Sequence, residues 1–337
     1  MNKELLQEMI DKKYVSVQKH PTEDLFIYNY TPEVQYGKLW NEITLATRGL
    51  ILDKEGNVVA KPFGKFFNLE EHQPSEIPLL DFEVFEKLDG SLGILYWISD
   101  MPFIATRGSF TSTQSVKATE ILYSKYRSTF SRLDKSETYL FEIIYPENRI
   151  VCNYGEKEDL ILLTIINNET GIEYIEDIGF PVVKRFDGIK DIAQLKALEE
   201  ENKEGFVIRF SNGFRVKVKF DEYVRLHRII TGVSNVTVWE YLMEERPFDE
   251  LLEKVPDEFY DWLTNTKKGL IDKFNEIYSV FIDDYAEIKK DIAVKAYTKR
   301  YPHLIFQMFR QDEEKARQII WKSIRPKFSK AFKTDEQ

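Results

Sequence analysis

The sequence predicts an α+β fold of mainly antiparallel sheets with flanking helices, followed by an all-helical C-terminal domain. Three observations support this prediction. Short β-patterned runs, separated by Pro, Gly, Asn and Asp turn signals, dominate the chain up to about Asp221. After an N-terminal helix, helical spacing interrupts these runs only twice. Beyond Asp221 the strand patterns disappear and helical patterns replace them.

The N-terminal segment MNKELLQEMIDKK has apolar residues at helical spacing and predicts the first helix. Helical spacing returns at Thr113 to Tyr126 and at Ile189 to Glu201. The segment GFVIRFSNGFRVKVKF predicts a hairpin, because Asn212 and Gly213 can take the positive φ values of a tight turn. Eight further runs predict strands: YVSVQ, LFIYNY, ITLATRGLILD, NVVAKPF, DFEVFEKLDG, SLGILYWI, TYLFEIIY and DLILLTII.

The last third of the chain predicts helices, and 337 residues are enough for two cores. We therefore predict one domain over residues 1–235 and a helical domain over residues 236–337. The helical patterns are YVRLHRII, VWEYLMEE, the long segment from PDEFYDW to AEIKKDI, and EEKARQIIWKSI.

Composition indicates a folded protein, because 43% of the residues are hydrophobic and 14% are aromatic. With Cys152 as the one cysteine and only four histidines, the chain offers no internal disulfide and no thiolate zinc site. The N-terminus lacks the apolar segment of a secretory signal, and no segment is long enough to span a membrane. We expect a cytoplasmic protein without a membrane partner.

The formal charge of −10 argues against broad, nonspecific nucleic-acid binding. The charge is unevenly distributed, since residues 285–337 contain 13 Lys and Arg and 7 Asp and Glu, a local charge of +6. A polyanionic partner or an ordinary solvated helix surface would each explain this basic segment.

Lys87 and Asp89 stand two residues apart in EKLDGSLGILY. In an extended strand they would point into one cleft, and Gly90 would let the chain turn or let a ligand approach closely. A surface ion pair is the usual explanation of such a pair. The pattern K-x-D-G is therefore a weak signal by itself.

The strand FRVKVKF places Arg215, Lys217 and Lys219 on one face. Three adjacent cations repel one another unless an anion or carboxylates lie among them, so a phosphate-binding surface is one interpretation. A solvated sheet face is the other. Glu142 and Glu204 lie inside or just before apolar strands, where a charge is costly unless it is paired or binds a ligand. A position on an outer sheet face would also explain either acid.

These motifs occur in one order along the chain. The set resembles the nucleotidyltransferase motifs of covalent ligases and capping enzymes, and more narrowly the ATP-dependent RNA ligase 1 family of phage tRNA repair. The resemblance extends from about residue 20 to residue 230 and includes PENRIV and KFDEYVRLH. Its further motifs are ATRGLIL at 46–52, GKFFNLEE at 64–71, KLDG at 87–90, TRGSF at 106–110, FEIIYPENRIV at 141–151, DLILLTII at 159–166, EGFVIRF at 204–210 and VKVKF at 216–220.

The resemblance implies an N-terminal nucleotidyltransferase domain and an ATP-dependent RNA ligase that joins 5′-phosphate and 3′-hydroxyl ends in RNA or tRNA repair. Lys87 would form lysyl-AMP, AMP would pass to the RNA 5′-phosphate, and a 3′-hydroxyl would displace it. The lysine needs activation by burial, cations or metal, and Lys217 and Lys219 are the expected cations. The implied cofactors are ATP and Mg²⁺ or Mn²⁺. The implied partner is RNA, including tRNA, and we expect a monomer.

The resemblance also implies the other site residues. Asp89 would act on the metal or on the terminal hydroxyl, Glu142 would contact the ribose or bind the metal, directly or through water, and Glu204 would bind the metal. Arg107 departs from the family, in which lysine is often found at this position. RNA contacts are expected at Lys322, Arg325, Lys327, Lys330 and Lys333. Contacts to ATP or AMP are expected at Arg48, Lys65, Phe67, Leu88, Gly90, Arg107, Glu142, Glu204, Gly205 and Tyr223.

Three alternatives remain open from the sequence. A DNA ligase or a capping enzyme would continue into a β-barrel domain, whereas residues 247–337 are helix-patterned. A catalytically silent nucleotide- or RNA-binding module would have lost the lysine nucleophile or the carboxylates, which are all present. A structural or adaptor protein would leave the ordered motifs unexplained.

Overall fold

The computed structural model describes residues 2–252, 255, 260–288, 296–310 and 312–327. The chain divides into two compact units, Met1–Ile230 and Thr231–Gln337. Among the described residues, no helix combines the length and the apolar character needed to cross a membrane.

The helices and strands follow the predicted order in outline. The helices are α1 (Lys3–Asp11), α2 (Pro32–Gly37), α3 (Glu42–Ala46), α4 (Thr113–Lys125), α5 (Asp221–Thr231), α6 (Asn235–Met243), α7 (Asp249–Leu252), α8 (Tyr260–Ile288), α9 (Pro302–Phe309) and α10 (Glu313–Ser323). The strands are β1 (Val15–Lys19), β2 (Leu25–Tyr30), β3 (Arg48–Asp53), β4 (Val58–Ala60), β5 (Phe67–Asn68), β6 (Phe82–Lys87), β7 (Ser91–Ile98), β8 (Met101–Ala105), β9 (Glu137–Ile144), β10 (Asp159–Asn167), β11 (Glu173–Tyr174), β12 (Arg185–Phe186), β13 (Gly205–Phe210) and β14 (Arg215–Lys219).

The α+β prediction is confirmed, with two local corrections. The run ITLATRGLILD is a strand only from Arg48; its first part is helix α3, because the Asn41 side chain caps the backbone N–H groups of Ile43 and Thr44. The segment predicted as a helix from Ile189 to Glu201 is a short 3₁₀ helix over Ile192–Leu198. The sequence patterns also missed three helices and four strands: α2, α7, α9, β5, β8, β11 and β12.

The strands of the first unit form three sheets among the described residues. Their orders are β1-β2-β3-β4, β11-β10-β9-β7-β8 and β12-β6-β13-β14-β5. The named strand pairs are antiparallel except for β14 and β5, which run parallel. The third sheet therefore places the strand that ends at Lys87 beside both strands of the predicted hairpin.

The second sheet packs against both of the other sheets through apolar cores. Ile27 and Ile51 of the first sheet pack with Ile94 and Leu140 of the second sheet. Helix α4 covers the opposite face of the second sheet. The third sheet packs on the same face of the second sheet as the first sheet does, where Phe85 packs with Ile144 and Ile161. Each buried aliphatic or aromatic side chain of this kind contributes about 1.5–3 kcal/mol to folding.

The second unit is helical among its described residues, as the sequence predicted. Helix α8 packs against α6, α9 and α10. The Trp239 Nε1–H donates a hydrogen bond of 2.8 Å to the carbonyl of Trp321, and the Trp321 ring stacks on Phe274 with centroids 4.7 Å apart.

Candidate active site

Three adjacent strands bring two of the predicted lysines to one place. In the register of β6, β13 and β14, Gly205 is opposite both Lys87 and Lys219. Residues directly opposite in a sheet share a face, so the two lysines flank the glycine. Gly205 has φ +145°, and a Cβ there would lie 2.0 Å from the carbonyl oxygen of Val218. Only glycine fits this position.

Glu204 lies between the two amines. Its Oε2 is 2.7 Å from Lys87 Nζ, and its Oε1 is 3.9 Å from Lys219 Nζ. The Lys87 side chain is 21% exposed, whereas Glu204 is buried. Lys217 is also buried and lies two residues before Lys219 on the same face of β14. We call these four residues, Lys87, Lys217, Lys219 and Glu204, the lysine cluster.

The lysine cluster contains three cations and one carboxylate, so it suits a polyanionic ligand. Burial raises the pKa of Glu204, and the neighbouring Lys87 and Lys219 oppose this shift. Arg215, the third predicted cation of β14, is bound instead to Glu173, with one hydrogen bond of 2.8 Å and a second short one. Arg215 is thus paired with a carboxylate and only 10% exposed at its side chain, so the interpretation as a solvated sheet face does not hold for this residue.

Glu142 is a second carboxylate beside the lysine cluster. Its Oε1 accepts a hydrogen bond of 3.0 Å from the Gly90 N–H. Burial raises the pKa of Glu142 to about 8, with Glu204 and Asp89 adding to the effect and Lys87 opposing it. A cation bound beside this carboxyl group would favour its charged form.

Glu142 and Glu204 fit a Mg²⁺ or Mn²⁺ site that substrate completes. In the part of the chain that the structure describes, no group of three or more His, Cys, Asp or Glu side chains could hold a metal ion. Mg²⁺ typically takes one or two carboxylates together with substrate phosphates and water, so two acids beside a cationic cluster would be sufficient.

Asp89 has a different environment from the one predicted. Strand β6 ends at Lys87 and a bend follows, so the expected extended pair of Lys87 and Asp89 is wrong. The buried Asp89 carboxylate accepts hydrogen bonds of 2.7 Å from the Val151 and Cys152 N–H groups and from the Tyr223 hydroxyl. It joins three separate segments, and its role at the metal stays a prediction.

The other residues of the KLDG motif fill the space between the second and third sheets. Leu88 packs against the apolar cluster of Phe85 and Ile161. Gly90 lies so close to the second sheet that a Cβ would come within 2.6 Å of the Ile143 carbonyl oxygen. The glycine therefore permits close approach of two backbones, and its predicted contact with nucleotide stays a prediction.

Four predicted residues, Arg48, Lys65, Phe67 and Arg107, lie among aromatic rings. Lys65 Nζ is 5.4 Å from the Phe67 ring centroid and 5.7 Å from that of Trp40. Arg107 donates a hydrogen bond of 3.1 Å to the Tyr30 hydroxyl. Arg48 lies 5.5 Å from the centroid of a further ring, that of Phe63. Cation–π contacts of this kind hold long side chains in place.

Strand β5 links this aromatic group to the lysine cluster. Phe67 pairs with Val216 and Asn68 with Lys217 in the parallel register of β5 and β14. Sequence reasoning did not find Tyr30 and Trp40, because single aromatic residues in an aromatic-rich chain resemble core residues.

The predicted RNA-binding cations lie in the second unit. Lys322 is exposed in the last turn of α10, and the Arg325 guanidinium is 5.2 Å from the Trp239 ring centroid. Lys327 is exposed, and its backbone carbonyl accepts a hydrogen bond of 2.7 Å from Asn235 Nδ2. Lys330 and Lys333 lie outside the described residues.

Comparison with known proteins gives the family. The model of the RNA ligase family of the T4 RNA ligase 1 type matches residues 46–223, more than half of the chain. The chain belongs to this RNA ligase family, as the ordered motifs predicted. The matched range includes the lysine cluster, Glu142, Asp89 and Tyr223.

The individual relatives share about a third or less of their aligned residues with this chain. A candidate RNA ligase of Thermovibrio ammonificans is 32% identical over 63% of this chain and 59% of its own length. A candidate bifunctional polynucleotide kinase/RNA ligase of Autographa californica nuclear polyhedrosis virus is 27% identical over 74% of this chain and 40% of its own. The chain thus spans about half the length of these two relatives. A solved Naegleria gruberi RNA ligase with ATP and Mn is 20% identical, with a TM-score of 0.36, over 43% of this chain and 51% of that chain.

Proposed function

We propose that this protein is an ATP-dependent RNA ligase that joins RNA 5′-phosphate and 3′-hydroxyl ends through a lysyl-AMP intermediate. One observation carries the proposal: the amine of Lys87 lies 2.7 Å from the buried Glu204 carboxylate, with Lys219 on its other oxygen. A primary amine, a proton acceptor and phosphate-binding cations are the groups that this chemistry requires. Membership of the RNA ligase family supports the same assignment.

In the first step, Lys87 Nζ attacks the α-phosphorus of ATP. A nitrogen–phosphorus bond forms, the bond from the α-phosphorus to the bridging oxygen breaks, and pyrophosphate leaves. The nitrogen loses two protons overall; Glu204 is the nearest described acceptor for the first of them, and the second passes to solvent. Lys217 and Lys219 stabilise the phosphate oxygens as negative charge moves to the leaving group.

In the second step, an oxygen of the RNA 5′-phosphate attacks the adenylate phosphorus. The nitrogen–phosphorus bond breaks, and Lys87 regains its protons. In the third step, a 3′-hydroxyl oxygen attacks the 5′-phosphorus of the adenylylated strand. The new phosphodiester forms, AMP leaves with the electrons of the broken bond, and the hydroxyl proton passes to solvent.

Glu142, Glu204 and Asp89 are the proposed ligands for Mg²⁺ or Mn²⁺, and Glu142 and Glu204 have the more available carboxylates. A bound divalent cation would neutralise phosphate charge at this site. Arg48 and Lys65 are assigned to the triphosphate. The remaining nucleotide contacts are assigned to Phe67, Leu88, Gly90, Arg107, Gly205 and Tyr223.

RNA repair, with tRNA among the substrates, belongs to the same proposal, as do a cytoplasmic location and a monomeric state. The single cysteine of the chain is consistent with a reducing compartment. The basic segment that contains Lys322, Arg325 and Lys327 is the proposed RNA contact of the second unit.

A sealing assay tests this proposal. The protein is incubated with ATP, Mg²⁺ and 5′-³²P-labelled strands that present a nicked tRNA, a linear RNA, a nicked RNA duplex or a nicked DNA duplex. We expect ATP-dependent protection of the label from phosphatase on at least one RNA substrate, its loss in Lys87→Ala, and its retention in the exposed control Lys135→Ala. Sealing of DNA alone, or of no substrate, would refute the proposal.

A further inference from the structure

A concave site lies beside Asp89, two residues after Lys87 of the lysine cluster. It is a pocket of about 300 Å³, formed by the end of β9 and the segment that follows, with Asp89 in its wall. This volume is at the lower end of the roughly 300–1,000 Å³ typical of small-molecule sites. The pocket therefore has room for one nucleoside and not for a longer stretch of nucleic acid.

The wall of this pocket is held in place by side chains of the active site. The Asp89 carboxylate binds the N–H groups of Val151 and Cys152, and the Tyr154 hydroxyl accepts a hydrogen bond of 2.9 Å from the Asp89 N–H. The buried Asn148 side chain donates a hydrogen bond of 2.9 Å to the Ile143 carbonyl. The pocket is therefore a built feature of the fold that shares one residue, Asp89, with the KLDG motif.

The groups in the pocket favour a neutral, hydroxyl-bearing ligand. Arg149 uses its Nε to donate to the Val151 carbonyl at 3.2 Å, and among the described residues its two terminal nitrogens form no hydrogen bond or ion pair. Asp89 and Glu156 are also lining residues, so the lining carries two acidic groups and one guanidinium. A terminal phosphate would bring two further negative charges into the pocket, whereas a nucleoside brings none. Tyr154 and Asn153 also line the pocket, and aromatic rings and amides are residue types that recognise an unpaired nucleoside.

We propose that this pocket binds the 3′-terminal nucleoside of the RNA strand that supplies the 3′-hydroxyl. This inference rests on the proposed ligase function. The two ends to be joined differ in charge, since the 5′ end carries a phosphate and the 3′ end carries none. The cationic lysine cluster suits the first end, and the net negative pocket beside Asp89 suits the second. The two carboxylates also disfavour a strand that ends in a 3′-phosphate.

The third step, measured alone, tests the pocket. A pre-adenylylated RNA and a 3′-hydroxyl acceptor strand are mixed with Mg²⁺ and no ATP, and the KM for the acceptor is determined. We expect Arg149→Ala and Asn153→Ala each to raise this KM about fivefold or more, while the rate of self-adenylylation with ATP stays unchanged. Arg127→Ala, an exposed arginine outside both sites, is the matched control and should change neither. Thermal melting verifies that each variant is folded.

A second variant reports on charge. A 3′-phosphate strand should inhibit the wild-type protein weakly, and Glu156→Gln should make it a stronger competitor of the acceptor. An unchanged acceptor KM in both pocket variants would overturn the inference, as would a raised KM for ATP, which would assign the pocket to adenosine. If the wild-type protein fails to adenylylate, the proposed function fails. In that case, fluorescence anisotropy measures the binding of a 3′-hydroxyl RNA and tests the pocket separately. Arg149→Ala should still weaken this binding, and unchanged binding would overturn the inference.

Discussion

At the residue scale, one carboxylate organises much of the candidate site. Asp89 joins the segment after β6 to Val151 and Cys152 and to Tyr223 of α5. These bonds keep the pocket wall and the helix in a fixed position relative to the strand that ends at Lys87. A residue predicted for metal chemistry thus also has a positioning role.

Removing one bond of this network should lower stability without removing a charge. Tyr223→Phe deletes the hydroxyl that donates a hydrogen bond of 2.7 Å to the Asp89 carboxylate. Because hydrogen bonds to charged groups contribute about 1.5–3 kcal/mol, we expect the free energy of unfolding to fall by about that amount. Urea denaturation measures the change. Tyr297→Phe, which alters a ring that is 73% exposed, should leave stability within about 0.5 kcal/mol.

His20 should make stability depend on pH. Burial lowers the pKa of His20 from 6.5. Its Nδ1 accepts hydrogen bonds from the backbone N–H groups of Thr22 and Glu23. Protonation of Nδ1 would break both bonds. The unfolded state therefore binds more protons below pH 6.5, and stability should fall as pH falls from 7 to 5, by at most about 1.4 kcal/mol per pH unit.

His20→Asn keeps an acceptor near the position of Nδ1 and cannot titrate. Its denaturation midpoint should change less than that of the wild-type protein between pH 7 and pH 5. The exposed His303→Asn is the matched control and should retain the wild-type pH dependence. Equal pH dependence in His20→Asn and the wild-type protein would contradict this account.

At the element scale, the sequence patterns predicted most strands, because alternation with turn signals is a local property. The hairpin of β13 and β14 is the best example, and its register follows from its short turn. Helix α3 was missed because the β-branched residues of ITLAT favour a strand. The Asn41 cap stabilises the helix by more than this preference disfavours it. Strand β5 has two residues and no pattern of its own; its parallel pairing with β14 is a tertiary contact.

Gly205 offers a test of the three-strand arrangement. An added Cβ would lie 2.0 Å from the Val218 carbonyl, so Gly205→Ala must push β13 and β14 apart. We expect a loss of about 3 kcal/mol or more in the free energy of unfolding. Gly188→Ala has a positive φ of +81° and open space, so it should cost only about 1–2 kcal/mol. Similar losses in the two variants would show that the close contact is unimportant.

At the scale of the whole molecule, ordered motifs allowed the lysine cluster to be predicted, although Lys87 precedes Lys217 and Lys219 by about 130 residues of sequence. Glu204 was predicted as a metal ligand, but its position between Lys87 and Lys219 depends on the sheet order β6-β13-β14. The pocket could not be predicted, because it is made by backbone hydrogen bonds to Asp89 and Asn148. Such bonds leave no pattern in the sequence.

The basic segment of the second unit should act on RNA and not on ATP. Replacing Lys322, Arg325 and Lys327 together by Gln removes three cations from the proposed RNA contact. If each contacts one phosphate, the slope of log K against log salt should become shallower by about 2 for single-stranded RNA. Filter binding over a salt series measures the slope. The control is the double variant Lys268→Gln/Lys273→Gln on the exposed face of α8, which should leave the slope unchanged. Unchanged RNA binding in the triple variant would show that this segment does not contact RNA.

The most direct measurement of the central claim is the site of adenylylation. The protein is incubated with ATP labelled at the α-phosphate and Mg²⁺, denatured, and digested for mass spectrometry. The account predicts one AMP on Lys87, no label on Lys87→Ala, and unchanged labelling of the control Lys135→Ala. AMP on another residue, or label that persists in Lys87→Ala, would contradict the account.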